Sequence, residues 1–400
     1  MKFRIVDCPV SLTYVPTRRS DLVDVTCSGI YHCISRCVRR EPLLANPRRR
    51  ALLITRTEFL TQHAAIDVIS FAVLPNHLHL LLRTRPELVR SWSDEEVATR
   101  RAALLPNKRK RGRMRILTDA EKSAVEIQTI LNNPKLLQRA REELSSLGFF
   151  HRLLKEPCAR LWNREDDVTG HFWEGRFKSP RILDRRALMD VSTYIDLNEI
   201  HACLAHSLPS SVFTSARVQW LRLCDALSTL PKSDGVESKI DAFDAVKLLA
   251  WNPVFPCRAS ENATIEGGPA TESREGLDDE LPTLIEYINH VDHVGRRLRH
   301  DKPGVIDRSV PSAMHQALTS LRVSIQLDES VTLEVRKRLE RWWRETVRPV
   351  EDNALSSPIN ESSYFMFDMS RGSCYGGTQA VAVEAQRRGR ERLVSISIGA

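Results

Sequence analysis

The period of apolar and polar positions changes several times along the chain, and each change marks an element. Residues 27–38, CSGIYHCISRCV, mix β-branched, aromatic and small residues as strands do. At about 50–64, Leu52, Leu53, Phe59 and Leu60 can share one helical stripe. Two apolar runs follow, DVISFAVL (67–74) and HLHLLLRT (77–84), with only Pro75-Asn76 between them. Two short strands with a two-residue break predict an antiparallel hairpin, although Pro-Asn is a weaker turn signal than Asn-Gly. Residues 86–140 read as an insertion with Trp92, the acidic cluster Asp94-Glu95-Glu96 and the basic run KRKRGRMR at 108–115. A helix at about 141–155 leads to HFWEGRFKSPRIL (171–183), read as a strand with a basic loop. A longer helix then spans about 185–204, with Asp184 as its N-cap.

The order strand–helix–strand–strand–helix–strand–helix predicts an α+β fold, an antiparallel sheet with helices on one face. Residues 259–282 are polar, acidic and Gly/Pro-bearing, and read as a linker. Residues 283–350 are mainly helical in pattern, with Trp342 and Trp343 in a charged helix. The chain thus divides into a tail (1–26), a main unit (27–206) and a connector (207–258). The linker, a helical extension (283–350) and a weakly patterned tail (351–400) ending in QRRGRER follow.

Composition narrows the class. A hydrophobic fraction of 42% over 400 residues supplies a buried core and excludes a disordered polymer. The net charge of +8 favours a polyanionic partner without identifying it, since basic surfaces also suit acidic membranes. No apolar run approaches the roughly 18 residues of a membrane span. The N-terminus lacks an apolar core followed by a small-residue cleavage site, so no signal peptide is expected. Nine cysteines without a CxxC pair suit free thiols in a reducing cytoplasm, and Cys33 and Cys37 can share a strand face.

Three features carry chemistry. On a strand, His77 and His79 project to one face with Leu81 and Arg83, while Leu78, Leu80 and Leu82 project to the other. Two imidazoles two residues apart can ligate a metal, or can simply be polar residues on a partly exposed face. Around Tyr194, helical spacing puts Asn198, Asp190 and His201 on one stripe, beside an apolar stripe of Leu188, Val191 and Ile195. A tyrosine at such an edge is commonly a packing residue. In 171–183, Arg176 and Lys178 alternate with Phe172, Trp173 and Phe177. Aromatics that stack on bases and cations that hold phosphates suit a single nucleic-acid strand; an amphipathic edge strand looks the same. Lys108, Arg109, Lys110 and Arg111 either grip phosphates or form a solvated loop.

The segments YHCISRCVRR (31–40), FAVLPNHLHLLLR (71–83), SDEEV (93–97), GHFWEGRFKS (170–179) and YIDLNEIHA (194–202) resemble the REP-associated tyrosine transposases. These are single-tyrosine HUH transposases, named for two histidines flanking a hydrophobic residue. The similarity is to a longer subgroup with a helical C-terminal extension, which EYINHVDHVGRRLRHDKPGVI (286–306) also resembles. The resemblance implies a ferredoxin-like sheet, Tyr194 as nucleophile, and Mg²⁺ or Mn²⁺ held by His77, His79 and the amide oxygen of Asn198. It implies cleavage and rejoining of single-stranded or hairpin DNA through a 5′-phosphotyrosine. It implies no nucleotide cofactor and no membrane, a cytoplasmic, nucleoid-associated location, and admits a homodimer. The family's usual Asn-Pro is Asn198-Glu199 here, and a common arginine is His201. A non-catalytic DNA-binding regulator on this scaffold and a water-activating metallonuclease are the competing readings.

Overall fold

The computed structural model describes residues 23–104, 119–228, 249–258, 281–297, 302–324, 374–388 and 395–397. The first strand, β1 (Gly29–Arg36), leads to helix α1 (Pro47–Thr61), whose N-terminus is closed by Asn46 accepting from Arg48 N at 2.9 Å. Proline at the first helical position costs nothing, because its missing N–H would have had no partner there. The hairpin β2 (Ile66–Leu74) and β3 (His77–Thr84) turns at Pro75-Asn76 as predicted. The stretch read as an insertion folds into α2 (Pro86–Ser91), α3 (Asp94–Ala103), α4 (Asp119–Leu131) and α5 (Pro134–Leu144). Next come α6 (Leu147–Glu165), the two-residue strand β4 (Arg181–Ile182), α7 (Arg185–Asp196) and the single turn α8 (Asn198–His201). Then follow α9 (Ser215–Ser228), α10 (Leu284–Gly295), α11 (Ala313–Ser324), β5 (Cys374–Gly376), α12 (Thr378–Arg387) and β6 (Ser395–Ser397).

The sheet runs β2-β3-β1-β4-β5-β6. The first four strands pair antiparallel, whereas β5 joins β4, and β6 joins β5, in parallel. The fold combines α and β elements on a mixed sheet, so the purely antiparallel expectation is corrected by two strands from the tail read as weakly patterned. Three-residue strands are too short to carry a period. The outer edge of β2 is not bare: Val68 N donates to Phe255 O at 2.9 Å and Val73 N to Phe213 O at 2.9 Å.

Helices cover both faces of the sheet, not one. On one side Tyr31, Cys33, Val68, Phe71, Leu78, Leu80 and Leu82 meet Leu53 and Leu60 of α1 and Phe150 and Leu154 of α6. On the other, Ile30, Ile69, Ala72 and Leu81 meet Leu188, Val191 and Ile195 of α7, Leu223 of α9, Ile288 of α10 and Met314 of α11. The connector and extension therefore supply the second layer. A bulge interrupts the register of β2. Val68 faces Leu82 and Ser70 faces Leu81, so Ile69 is the extra residue that shifts the alternation beyond it. Buried Asp196 binds the second layer to the sheet: Tyr287 Oη donates to its Oδ2 at 2.6 Å and Ser215 Oγ to its Oδ1, while Ser215 Oγ accepts from Phe71 N at 2.9 Å.

Trp342, Trp343, most of the linker and the run 108–111 (Lys108, Arg109, Lys110, Arg111) lie outside the described residues.

Candidate functional site

The alternation of HLHLLL on β3 sends Leu78, Leu80 and Leu82 into the α1/α6 core and turns His77 and His79 toward α7. Their ring centroids are 4.8 Å apart, and the Tyr194 ring lies 5.8 Å from that of His79, edge to face. Tyr194 is on α7, which Asp184 starts by accepting from Ala187 N at 2.8 Å. The elements that set the two histidines and the tyrosine thus meet at one place. Tyr194 keeps 8% of its surface exposed and His77 is half-buried, so the cluster reaches solvent from one side.

A third imidazole completes the group. His32 of β1 is fully buried, and its Nε2 lies 2.9 Å from His79 Nδ1. Strand composition marks His32 as a β residue, but only the pairing of Ile34 with His79 reveals that both histidines point the same way. Two more groups come from far along the chain. The Tyr375 ring of β5 is 6.1 Å from His32, and Lys302 Nζ stands 5.9 Å from the centre of the Tyr194 ring.

Burial governs the charge of the cluster. It pulls His32 down to about 3 and His77 to about 4, with neighbouring positive charge adding to the effect. His79 falls well below the usual imidazole value, for the same reasons in the same order. At neutral pH all three rings are uncharged, and each holds one lone-pair nitrogen. Asn76 donates Nδ2–H to Arg40 O at 3.2 Å, so its Oδ1 is the partner of His77 Nδ1 at 2.6 Å. That bond selects the Nδ1–H tautomer and leaves His77 Nε2 as the acceptor nitrogen. His79 Nε2 is buried without a hydrogen-bond partner. Buried polar atoms are ordinarily satisfied, and two lone-pair nitrogens on one strand face match the donor chemistry of a divalent-metal site. Among the described residues, no three His, Cys, Asp or Glu side chains converge on one metal position.

Asn198 is buried next to Tyr194, and its amide Nδ2 donates to Tyr194 O at 2.9 Å and Ile195 O at 3.3 Å. Among the described residues it makes no hydrogen bond to an imidazole. This side-chain bonding competes with the helix ladder, and the expected single helix over 185–204 breaks at Leu197 into α7 and α8. The stripe from Asp190 to His201 is interrupted there. Glu199, where the resembled family has proline, is buried and pairs with Arg50 Nη1 at 3.1 Å while accepting from Phe213 N at 3.0 Å. It joins α1, α8 and the loop before α9.

The expected DNA contacts divide. Phe172 and Trp173 are not exposed stacking platforms. They are buried in the α6 core, where Phe172 packs 4.9 Å from Trp162 and Trp173 Nε1 donates to Lys155 O at 3.4 Å. Their segment runs beside β1 as isolated bridges, with regular pairing only at Arg181–Ile182, so the expected strand over 171–183 shrinks to two residues. Arg176 and Lys178 are exposed. Lys178 pairs with Ile34, which pairs with His79, so its backbone lies two strands away, roughly 10 Å. Arg83 shares the His77 face but stands six residues along the strand, about 20 Å away. Arg36, not singled out from the sequence, is exposed and directly opposite His77 on β1.

No family model matches this chain, and no curated protein or solved structure matches it either. No described helix is long and apolar enough to cross a membrane.

Proposed function

We propose that this protein cleaves and rejoins single-stranded DNA, with Tyr194 as nucleophile beside a divalent ion held by His77 and His79. The observation that carries the reading is the approach of the Tyr194 ring to within 5.8 Å of His79, itself 4.8 Å from His77. The order β2-β3-β1-β4, antiparallel with helical connections after β1 and β3, supports the finer reading of a ferredoxin-like HUH sheet. The resemblance to REP-associated tyrosine transposases predicts the same three residues.

Mg²⁺ or Mn²⁺, with the Asn198 amide oxygen as a further ligand, would polarise a phosphoryl oxygen and stabilise charge developing on it. His77 and His79 present neutral nitrogens, and Arg36 and Lys178 supply cations near them for flanking phosphates. Tyr194 Oη bonds to phosphorus, the P–O3′ bond breaks, and the phenol proton passes through solvent to the leaving 3′-oxygen. The products are a 5′-phosphotyrosine and a free 3′-OH. Because the phosphodiester energy is kept in the covalent link, a later 3′-OH can attack and rejoin a strand without a nucleotide cofactor. Single-stranded or hairpin DNA is the partner class; a cytoplasmic, nucleoid-associated location and a homodimer belong to the same reading.

The competing reading is a metallonuclease that uses His77 and His79 to activate water. Incubation of the protein with labelled hairpin oligonucleotides and Mn²⁺, followed by denaturing electrophoresis and mass spectrometry, separates the two. The expected result is a protein–DNA adduct at Tyr194 that Tyr194→Phe lacks. Cleavage to 5′-phosphates without adduct would establish the metallonuclease instead, and neither product across a broad panel would leave a DNA-binding regulator.

A further inference from the structure

The segment 302–310 belongs to a region with no assigned chemistry, yet it is fitted closely against the end of the tyrosine helix. Gly304 lies against the last turn of α8: a Cβ there would stand 1.8 Å from Ile200 O and 3.1 Å from Cys203 N. No side chain fits such an approach, so glycine is required by contact with backbone and not by its own conformation. Gly295, at the end of α10, is close-packed against side chains, with a Cβ position 2.7 Å from Ile306 Cδ1 and 2.8 Å from Leu197 Cδ2. Ile306 N closes the strap by donating to Gly295 O at 2.8 Å. The strap thus packs on both sides of the α7–α8 break, and Lys302 at its start is brought to 5.9 Å from the Tyr194 ring.

Several arginines elsewhere pair with carboxylates, as Arg50 with Glu199, Arg100 with Glu96 and Arg181 with Glu384. Among the described residues, Lys302 and Arg36 have no carboxylate partner; Lys302 lies 5.9 Å from the Tyr194 ring and Arg36 stands opposite His77, so both face the uncharged imidazoles. Holding unpaired cations together is unfavourable unless an anion completes the group.

We infer that Lys302 holds the phosphate attacked by Tyr194, so that the region beyond residue 206 completes the site within the same chain. The ligand chemistry is a phosphodiester of single-stranded DNA, and the inference rests on Tyr194 as the nucleophile. An ammonium beside the phenol and the imidazoles neutralises a non-bridging oxygen as charge builds on it, a role separate from binding strength alone.

The test uses the full-length protein, oligothymidylate of thirty nucleotides and fluorescence anisotropy in EDTA over a range of NaCl. Wild type, Lys302→Gln, Lys302→Arg and an exposed control on α6, Arg160→Ala, are compared, with thermal melts to verify folding. Loss of one phosphate contact lowers the slope of log affinity against log salt by about 0.7 in Lys302→Gln, and Lys302→Arg retains it. In the hairpin assay, Lys302→Gln loses about 10²-fold in adduct rate, whereas Tyr194→Phe keeps full binding and loses the adduct. A wild type that binds while Lys302→Gln matches it in slope and adduct rate overturns this inference and leaves Tyr194 standing. A wild type that does not bind the oligonucleotide overturns both. If Lys302→Gln melts early, Gly304→Ala supplies the second variant. It displaces the strap, and unchanged oligothymidylate binding by the folded protein contradicts the role of Lys302.

Discussion

The two sides of β3 are built from neighbouring residues and solve opposite problems. Leu78, Leu80 and Leu82 enter a layer of aliphatic and aromatic side chains. His77 and His79, one position out of step, enter a layer with His32, Tyr194 and Tyr375, where His79 Nε2 and His32 Nδ1 have no hydrogen-bond partner. A core optimised only for stability fills such places with carbon. The difference teaches that one strand can carry an apolar face into a core and a face of clustered imidazoles into a polar pocket, which is where a site is to be sought.

Substitutions can sharpen or break that contrast. The largest stability effect is expected on the first side: Leu80→Ala, at a position 1% exposed, removes three heavy atoms from a closed core. It costs about 2–5 kcal/mol in urea denaturation. A loss under 1 kcal/mol would mean that the layer is not close-packed. Next comes the tyrosine helix. Burial raises the carboxyl of Asp190 to about 6, against the pull of Arg186. A carboxyl raised in the folded state lends stability while protonated, fully below about pH 4, and loses it as pH climbs through 6. Asp190→Asn removes that dependence, so between pH 4 and 8 wild type falls by about 3 kcal/mol relative to the variant. Parallel pH–stability curves would contradict a buried, unpaired Asp190.

The smallest effects belong to the imidazoles. His79→Leu alone leaves His32 Nε2 without its partner at 2.9 Å and costs about 1–3 kcal/mol. His32→Leu/His79→Leu removes both polar partners and is expected to restore wild-type stability, while the adduct formation proposed for Tyr194 is lost. A double variant less stable than the single one would show that the histidines serve the fold.

What the sequence reveals follows from what is local. The alternation of β3, the hairpin at Pro75-Asn76 and the Asp184 cap each depend on a few adjacent residues, and the structure has them where the pattern puts them. His32 escaped because its relation to His79 is a matter of register between strands 47 residues apart. Phe172 and Trp173 misled because aromatics next to cations look alike on a surface and at a core margin. Their burial is decided by Trp162 on α6, outside their own segment. The helix break at Leu197 turns on which way the Asn198 amide bonds, and the second helical layer on contacts between the sheet and residues more than a hundred positions away. The cleavage chemistry was suggested by resemblance, and the clustering of His77, His79 and Tyr194 is the structural observation that agrees with it.

Asp184 begins the tyrosine helix through Ala187 N, and its second oxygen accepts from Gly377 N, 193 residues later, at 2.6 Å. During synthesis, therefore, β4 leaves the ribosome with its outer rim unclaimed and stays so for about 10–40 s at typical elongation rates. Throughout that interval it is an open template for strand pairing with other nascent chains. The charge of Arg181 at the start of this two-residue strand, later neutralised by Glu384 at 3.1 Å, is a safeguard for the wait.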